Sequence, residues 1–176
     1  FMAMVQVLDA IAPKNEKGLI FLESLDLQEA NQLPLLLQRR YRILHMPMVI
    51  NGQVQTEARQ QRVNKFQPES GFDVMLLSPK AGRVGLTLTA ANHVIHLSRW
   101  WNPAVEDQCS DRVYRIGQTK PVHIYYPLAV IPGAEEHSFD VQLQALMDRK
   151  RKLAHDLLAA PAFSSRDYES LLASIS

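Results

Sequence analysis

The stretch "DVMLLSPKAGRVGLTLTAANHVIHL", residues 73–97, contains two short apolar runs that are separated by a loop with glycines. The runs, Asp73–Leu77 and His93–Leu97, have the composition of strands that are buried on both faces of a parallel sheet. Three further runs of this kind occur, at Gly18–Leu22, Met48–Ile50 and Val122–Tyr126. The sequence therefore predicts a sheet of five short strands.

Helical segments are predicted between and after these strands. They are Leu27–Tyr41, Thr56–Phe66, Pro103–Ile116 and Glu135–Ala160, and Pro34 should kink or restart the first. Strands that alternate with helices predict right-handed βαβ units and an α/β fold with an open parallel sheet. Functional residues of such folds gather in loops at the carboxyl ends of the strands. The Ala160-Pro161 junction predicts one domain over 1–160 and a tail or short helix over 161–176.

The composition indicates a globular domain. Of 176 residues, 47% are hydrophobic and 21% are charged, and the net charge is only +1. A DNA contact would therefore require a local basic patch. Cys109 is the only cysteine, which excludes a disulfide within the chain and predicts a reducing, intracellular setting. The chain begins with Phe1, which suggests a fragment of a larger protein, and no metal site is expected because the histidines lack ligand spacing.

Two arginines, Arg112 and Arg115, lie in the predicted helix just before Gly117. On a helix they would share one side with Gln108, within about 60°. They could be surface charges, with Asp111 pairing Arg115 for about 0.2–0.5 kcal/mol. They could also be a pair of guanidinium groups directed at a phosphate, whose oxygens match the planar fork of arginine. Spacing alone favours the surface charges.

The loop after Leu77 also allows two interpretations. It contains Lys80, Gly82 and Gly85, and glycines let backbone amides approach an anion. Two glycines three residues apart are also typical of a tight turn. The loop considered on its own favours this second interpretation.

A longer stretch, "SPKAGRVGLTLTAANHVIHLSRWWNPAVEDQCSDRVYRIGQTKPVHIYY", closely resembles the second RecA-like lobe of the Swi/Snf-type ATPases of helicase superfamily two. It covers the fifth and sixth helicase motifs of that family. "EKGLIF", "INGQVQTEARQQRVNKF" and "EEHSFDVQLQALMDRKRKLAHDLL" resemble the fourth motif, a further family segment and the long helix that closes the lobe. The resemblance extends to about Leu158. It implies a RecA-like, mostly parallel open sheet with helices on both faces.

The resemblance also implies roles for individual residues. Arg112 and Arg115 correspond to arginine fingers that reach the γ-phosphate of ATP. The expected ATP-facing residues are Gln108, Gly82 and Gly85, and the expected DNA-facing residues are Lys80, Arg83, Thr87, Trp101 and Arg59. Of the two neighbouring tryptophans, one is expected to pack and the other to be partly exposed.

The chain departs from the family at several positions. Arg83 stands where a glycine is usual and could crowd the loop or add a phosphate contact. Thr87 replaces the usual asparagine, Tyr114 a frequent histidine and Cys109 a common alanine. The fifth motif is therefore expected to differ in detail from that of the family.

The phosphate-binding half of an ATPase is missing from the sequence. No glycine is followed by lysine and no Asp-Glu pair occurs, so ATP and Mg²⁺ are expected to be held mainly by a first RecA-like lobe. The expected partners are that lobe and duplex DNA, in a cytoplasmic, nucleoid-associated bacterial protein or a nuclear eukaryotic one, with no role for a membrane. The chain alone should be inactive. The alternatives are a non-catalytic α/β module that binds DNA or protein and an RNA helicase lobe, against which "RIGQ" argues.

Overall fold

A computed structural model of the protein describes residues 1–80 and 85–158, in two compact units that divide after Ala129. The strands of the first unit are β1 (Lys17–Phe21), β2 (Met48–Ile50), β3 (Asp73–Leu77), β4 (His93–His96) and β5 (His123–Tyr125). Its helices are α1 (Met2–Ile11), α2 (Leu25–Gln28), α3 (Leu33–Tyr41), α4 (Thr56–Phe66) and α5 (Pro103–Ser110). In the second unit, a 3-10 turn at Glu135–His137 precedes α6 (Phe139–Leu158).

The five strands form one parallel sheet in the order β2-β3-β1-β4-β5. Strand β1 lies at its centre, where Leu19 is opposite Met75 of β3 and Val94 of β4. All five strands lie where the sequence predicts them, within one or two residues. The predicted α/β fold with an open parallel sheet is thereby confirmed.

Helices cover both faces of the sheet. Alternate residues of β1 point to opposite faces and so belong to different core clusters. Leu19 and Phe21 belong to a core cluster that includes Val63 and Phe66 of α4 and Cys109 of α5. Ile20 and Leu22 belong to a second cluster, together with residues of α1 and α3: Met4, Leu8, Ile11, Leu33 and Leu37. Helices therefore lie on each face, with α5 on the same side as α4.

Two helical predictions near the amino terminus need correction. Helix α1 is absent from the prediction, although Met4, Leu8 and Ile11 have the spacing of a buried helical face. The segment predicted as a single helix over Leu27–Tyr41 is divided into α2 and α3. Helix α3 restarts with Pro34 in its first turn, where the missing N–H costs no hydrogen bond.

The prediction of a helix over Pro103–Ile116 is wrong in its second half, since α5 ends at Ser110. Beyond it the carbonyl oxygen of Arg112 accepts a hydrogen bond from the Leu88 N–H (2.9 Å) and not from an N–H one turn ahead. The Val113 side chain is fully buried in the core. Tertiary contacts thus draw residues 111–116 into turns, and Gly117 follows with a φ of +102°.

Charged groups are buried at the amino ends of β1 and β3, where Lys17 pairs with Asp73 in the register. Both residues are less than a tenth exposed. The Lys17 ammonium donates to the Phe66 carbonyl and lies 4.6 Å from the centre of that ring. Burial lowers the pKa of Lys17 and raises the pKa of Asp73 to about 6, although the Val74 N–H donates to the Asp73 carboxyl at 2.7 Å. Each ion therefore carries a desolvation cost.

We expect Asp73 to make the stability of the chain fall as pH rises from about 4 to 6. With its raised pKa, the carboxyl binds more protons in the native than in the unfolded state in that window. Asp73→Asn should remove this effect and raise the free energy of unfolding at pH 7 by up to about 3 kcal/mol, at about 1.4 kcal/mol per pKa unit. Urea unfolding of the unmodified chain and of Asp73→Asn at several pH values measures the effect. A difference in free energy of unfolding that does not vary with pH would contradict the raised pKa of Asp73.

The second unit consists of a capped turn and a long helix. The Ser138 hydroxyl accepts from the Ile131 N–H at 2.8 Å and donates to the Ala134 carbonyl at 3.2 Å, which ties the turn together before α6 begins. The predicted helix over Glu135–Ala160 is thus a 3-10 turn followed by α6, and its last two residues lie outside the described ranges. The predicted tail over 161–176 also lies outside them. None of the helices in the described ranges has both the length and the apolar character needed to span a lipid bilayer.

Candidate functional site

Two chain segments, 85–91 and 111–118, are joined by hydrogen bonds beside α5. The Leu88 N–H donates to the Arg112 carbonyl at 2.9 Å, and Nη1 of Arg115 donates to the Thr87 hydroxyl at 3.0 Å. Leu88 and Val113 are both fully buried in the core cluster on this face. The loop before β4 and the turn before β5 therefore form one structural element, which we call the paired segments.

Gln118 joins the carboxyl-terminal ends of the two paired segments. Its side-chain Nε2 donates to the carbonyl oxygens of Ala91 at 2.8 Å and Thr89 at 3.1 Å. Its Oε1 accepts from the Lys120 N–H at 3.0 Å. Sequence analysis assigned no role to Gln118, although it ends the "RIGQ" run that carried the resemblance.

Arg112 and Arg115 occupy different environments within this element. Arg112 is only 5% exposed, and its buried Nε has no hydrogen-bond partner in the described part of the chain. Burial lowers the pKa of Arg112 below its usual range, and the neighbouring positive charge of Arg115 lowers it further. Arg115 is exposed. One desolvated cation and one exposed cation therefore lie side by side.

The surface beside Arg115 is partly apolar. Tyr114 is 73% exposed and Ile116 is fully exposed. With Arg115, Gln118, Lys120, Pro121 and Val122 they line an open depression of about 410 Å³. The predicted ion pair between Asp111 and Arg115 is absent from this region of the described structure, where Arg115 bonds to Thr87 instead. The idea that the two arginines are a helix-surface pair is therefore wrong.

The amino end of α5 presents the two tryptophans. Asn102 caps the helix, since its side-chain oxygen accepts from the Ala104 N–H at 3.0 Å. Trp101 is 61% exposed, whereas Trp100 is partly buried, in agreement with the expectation that only one of them packs. The backbone N–H of Trp100 donates to the Glu106 carboxylate at 3.1 Å.

The remaining candidates are dispersed. Lys80 is exposed near the start of the loop after β3, Gly85 is exposed and a Cβ added there would meet no atom within 4 Å, and Gln108 is exposed on α5. Arg59 lies on α4, and its Nε donates to the Val54 carbonyl at 2.6 Å. Gly82 and Arg83 lie outside the described residues. Of the candidates in the described ranges, the structure thus joins only Thr87 to an arginine of the pair, through its hydrogen bond with Arg115.

The histidines are engaged in structural contacts. The ring of His93 contacts the Glu16 carboxylate at 2.8 Å, and that of His96 contacts the Ser110 hydroxyl at 3.0 Å. Among residues 1–80 and 85–158, no group of three or more His, Cys, Asp or Glu side chains could hold a metal ion.

Residues 2–117 match the model of the helicase conserved C-terminal domain. The chain belongs to this family. Its curated relatives include Zorya protein ZorD of Escherichia coli, which is 42% identical over 89% of the chain. The putative ATP-dependent helicase/translocase YwqA of Bacillus subtilis is 40% identical over 81% of the chain. This helicase C-terminal domain spans only 14–15% of the length of these two relatives.

Solved structures identify the type of helicase domain. The C-terminal part of the Fun30 ATPase domain superimposes with a TM-score of 0.70 and 29% identity, covering 96% of this chain and 51% of that one. The SWI2/SNF2 ATPase core of Sulfolobus solfataricus in complex with dsDNA superimposes with a TM-score of 0.65 and 26% identity, covering 86% of this chain and 30% of that one. The helicase C-terminal domain is therefore the second, RecA-like lobe of an SNF2-type ATPase, as the resemblance implied.

Proposed function

We propose that this lobe supplies two arginine fingers and DNA-backbone contacts to an ATP-dependent duplex-DNA translocase, in which ATP is bound between this lobe and a first RecA-like lobe. The observation that carries the proposal is the environment of Arg112. Its guanidinium is buried, and among residues 1–80 and 85–158 no acceptor reaches its Nε. A buried cation without a partner is costly, and an anion with several acceptor oxygens would remove that cost.

The neighbourhood of Arg112 supports a phosphate as that anion. Arg115, three residues away, carries a second positive charge that lowers the pKa of Arg112 by repulsion. A phosphate near both would replace this repulsion with attraction. Guanidinium groups of this kind stabilise the charge that develops on a transferring phosphoryl group. The two arginines therefore suit ATP hydrolysis better than a purely structural role.

Other parts of the ATP site must come from another lobe. The chain contains no Walker A sequence and no Asp-Glu pair. We therefore assign Mg²⁺ and most of the nucleotide contacts to the first lobe. The exposed Tyr114 and Ile116 beside Arg115 support a protein partner on this side, because exposed apolar side chains that cluster are typical of interfaces. Gln108, which is exposed on α5, is assigned to the same cleft.

DNA is assigned to the loops that follow β3 and β4. Lys80 and Trp101 are both exposed there, and the Sulfolobus relative was solved in complex with dsDNA. Lysine contacts phosphate without reading the sequence, so binding should be largely independent of sequence. We assign Arg59, Arg83 and Thr87 to the same function. Such a protein would act in the nucleoid of a bacterium or in the nucleus of a eukaryote.

The paired segments provide a physical link between the two ligands. Segment 85–91 follows the loop that begins at Lys80, and segment 111–118 carries both arginines. A displacement of the first segment would act directly on Arg112 through the Leu88 hydrogen bond and on Arg115 through Thr87. DNA contact at the loop would in this way alter the position of the fingers.

The decisive experiment measures ATP hydrolysis by a protein that contains both lobes. We expect little hydrolysis without nucleic acid, strong stimulation by duplex DNA and weak stimulation by RNA of equal length. The 176-residue chain alone should hydrolyse no ATP. Stimulation by RNA alone would indicate an RNA helicase, and an absence of hydrolysis in the two-lobe protein would overturn the proposed function.

A further inference from the structure

A buried carboxylate at the amino end of α5 has no part in the chemistry proposed above. The side chain of Glu106 is 0% exposed. Its Oε1 accepts from Nε of Arg99 at 2.9 Å and from the Trp100 N–H at 3.1 Å, and its Oε2 accepts from Nη2 of Arg99 at 3.4 Å. All of these donors belong to the segment that precedes the helix.

Aromatic groups enclose this ion pair. The Arg99 guanidinium lies 4.6 Å from the centre of the Tyr126 ring, and the side chain of Arg99 is only 6% exposed. Tyr126 stacks in turn on His96, at 5.0 Å between ring centres. The pair is therefore held in a well-defined geometry between α5 and the ends of β4 and β5.

Helix α5 is fixed to β4 at the same place. The Ser110 hydroxyl donates to the Glu106 carbonyl at 3.1 Å and contacts the His96 ring at 3.0 Å. The His96 ring stacks on Phe21 of the central strand, with 5.4 Å between ring centres. Glu106 is thus linked to the sheet through Ser110 and His96.

Stability alone is a poor explanation for a buried pair. Removing two charges from water costs about as much as their attraction returns, so apolar side chains of similar volume would stabilise the domain equally well. A bidentate arginine–carboxylate pair does, however, fix geometry. Residues 97–102 have no regular secondary structure, yet they carry Trp101 with its side chain 61% exposed.

We propose that Glu106 and Arg99 are positioning residues that fix segment 98–102 and thereby set the orientation in which Trp101 meets duplex DNA. This inference rests on the proposed function, since it requires Trp101 to contact DNA. The contacts given above for the pair involve neither Arg112 nor Arg115. Loss of the pair should therefore weaken the response to DNA while leaving catalysis at saturating DNA unchanged.

The test uses the two-lobe protein with Glu106→Gln, which keeps the shape of the side chain and removes its charge. We expect the DNA concentration for half-maximal ATPase stimulation to rise about tenfold, as for loss of a well-positioned aromatic contact. The kcat at saturating DNA and the KM for ATP should stay within about twofold, since neither depends on Trp101. Trp101→Ala should raise the half-saturating DNA concentration in the same way, and Glu29→Gln, which changes an exposed glutamate, should not. Hydrogen exchange should become faster in residues 98–102.

A second variant covers the case in which Glu106→Gln does not fold. The double change of Arg99→Met with Glu106→Met keeps the buried volume without a charge, and we expect it to fold and to show the same rise. An unchanged half-saturation by DNA in either folded variant would overturn the proposal, as would a fall in kcat with half-saturation unchanged. If the unmodified protein shows no stimulation by DNA, the proposed function itself fails, which is a separate result.

Discussion

Replacing Arg115 with alanine in the two-lobe protein is expected to abolish DNA-stimulated ATP hydrolysis, with a fall in kcat of about 10³-fold or more. The side chain is exposed, and within the described part of the chain its one hydrogen bond goes to the Thr87 hydroxyl. Its removal should therefore leave the fold intact and act on the transferring phosphoryl group alone. The measurement is the ATPase rate at saturating duplex DNA, with circular dichroism to verify folding.

Arg39→Ala is the matched control, because Arg39 is also exposed but lies on α3, on the other face of the sheet. We expect its ATPase rate to equal that of the unmodified protein. Near-normal turnover by Arg115→Ala would refute the assignment of Arg115 as a finger.

Arg112→Met is expected to separate activity from stability. ATP hydrolysis should again fall by about 10³-fold, because the charge near the phosphoryl group is lost. The free energy of unfolding of the 176-residue chain should rise by about 1–3 kcal/mol, since the variant no longer buries a guanidinium Nε that lacks an acceptor. The two measurements are the ATPase rate of the two-lobe protein and urea unfolding of this chain.

Arg112→Lys provides the comparison for this prediction. It retains a buried positive charge, so its stability should not exceed that of the unmodified chain, and its ATPase activity should also be low because an ammonium cannot bind phosphate oxygens with a planar fork. A loss of several kcal/mol of stability in Arg112→Met would show instead that the guanidinium supports the fold.

The strands were predictable because both faces of the sheet are buried. In β1 and β3 every residue is buried, so apart from the charged first residues, Lys17 and Asp73, their side chains are apolar and the strands stand out in the sequence. Helix α1 was missed although three of its residues have helical spacing, since a short run near a terminus gives a weak periodic signal. The parallel orientation of the strands was predictable because helices separate them along the chain.

The end of α5 could not be read from spacing. Helical periodicity continues through Val113 and Ile116, but Val113 is buried in the core while Ile116 is fully exposed. The turn forms because Leu88, more than twenty residues earlier, competes for the Arg112 carbonyl. A contact between distant segments of this kind leaves no local pattern.

The same limit applies to the candidate site. The resemblance identified Arg112 and Arg115 as a pair, but only the structure distinguishes the buried arginine from the exposed one. Gln118 and Glu106 both lie within the stretch of sequence that carries the resemblance. Their partners are the carbonyls of 89 and 91 and the guanidinium of Arg99, which tertiary folding brings to them.

The hydrogen bond between Arg115 and Thr87 has a consequence for the energetics of lobe closure. To reach a phosphate, the guanidinium gives up one solvent-exposed bond to a neutral hydroxyl, which contributes only about 0.5–1.5 kcal/mol. A charged phosphate oxygen returns about twice that. Under the proposed function, Arg115 would therefore be retained weakly without nucleotide, and its transfer to a phosphate would be downhill. The free energy of the Arg115–Thr87 hydrogen bond is thus small enough for a bond to phosphate to outweigh it.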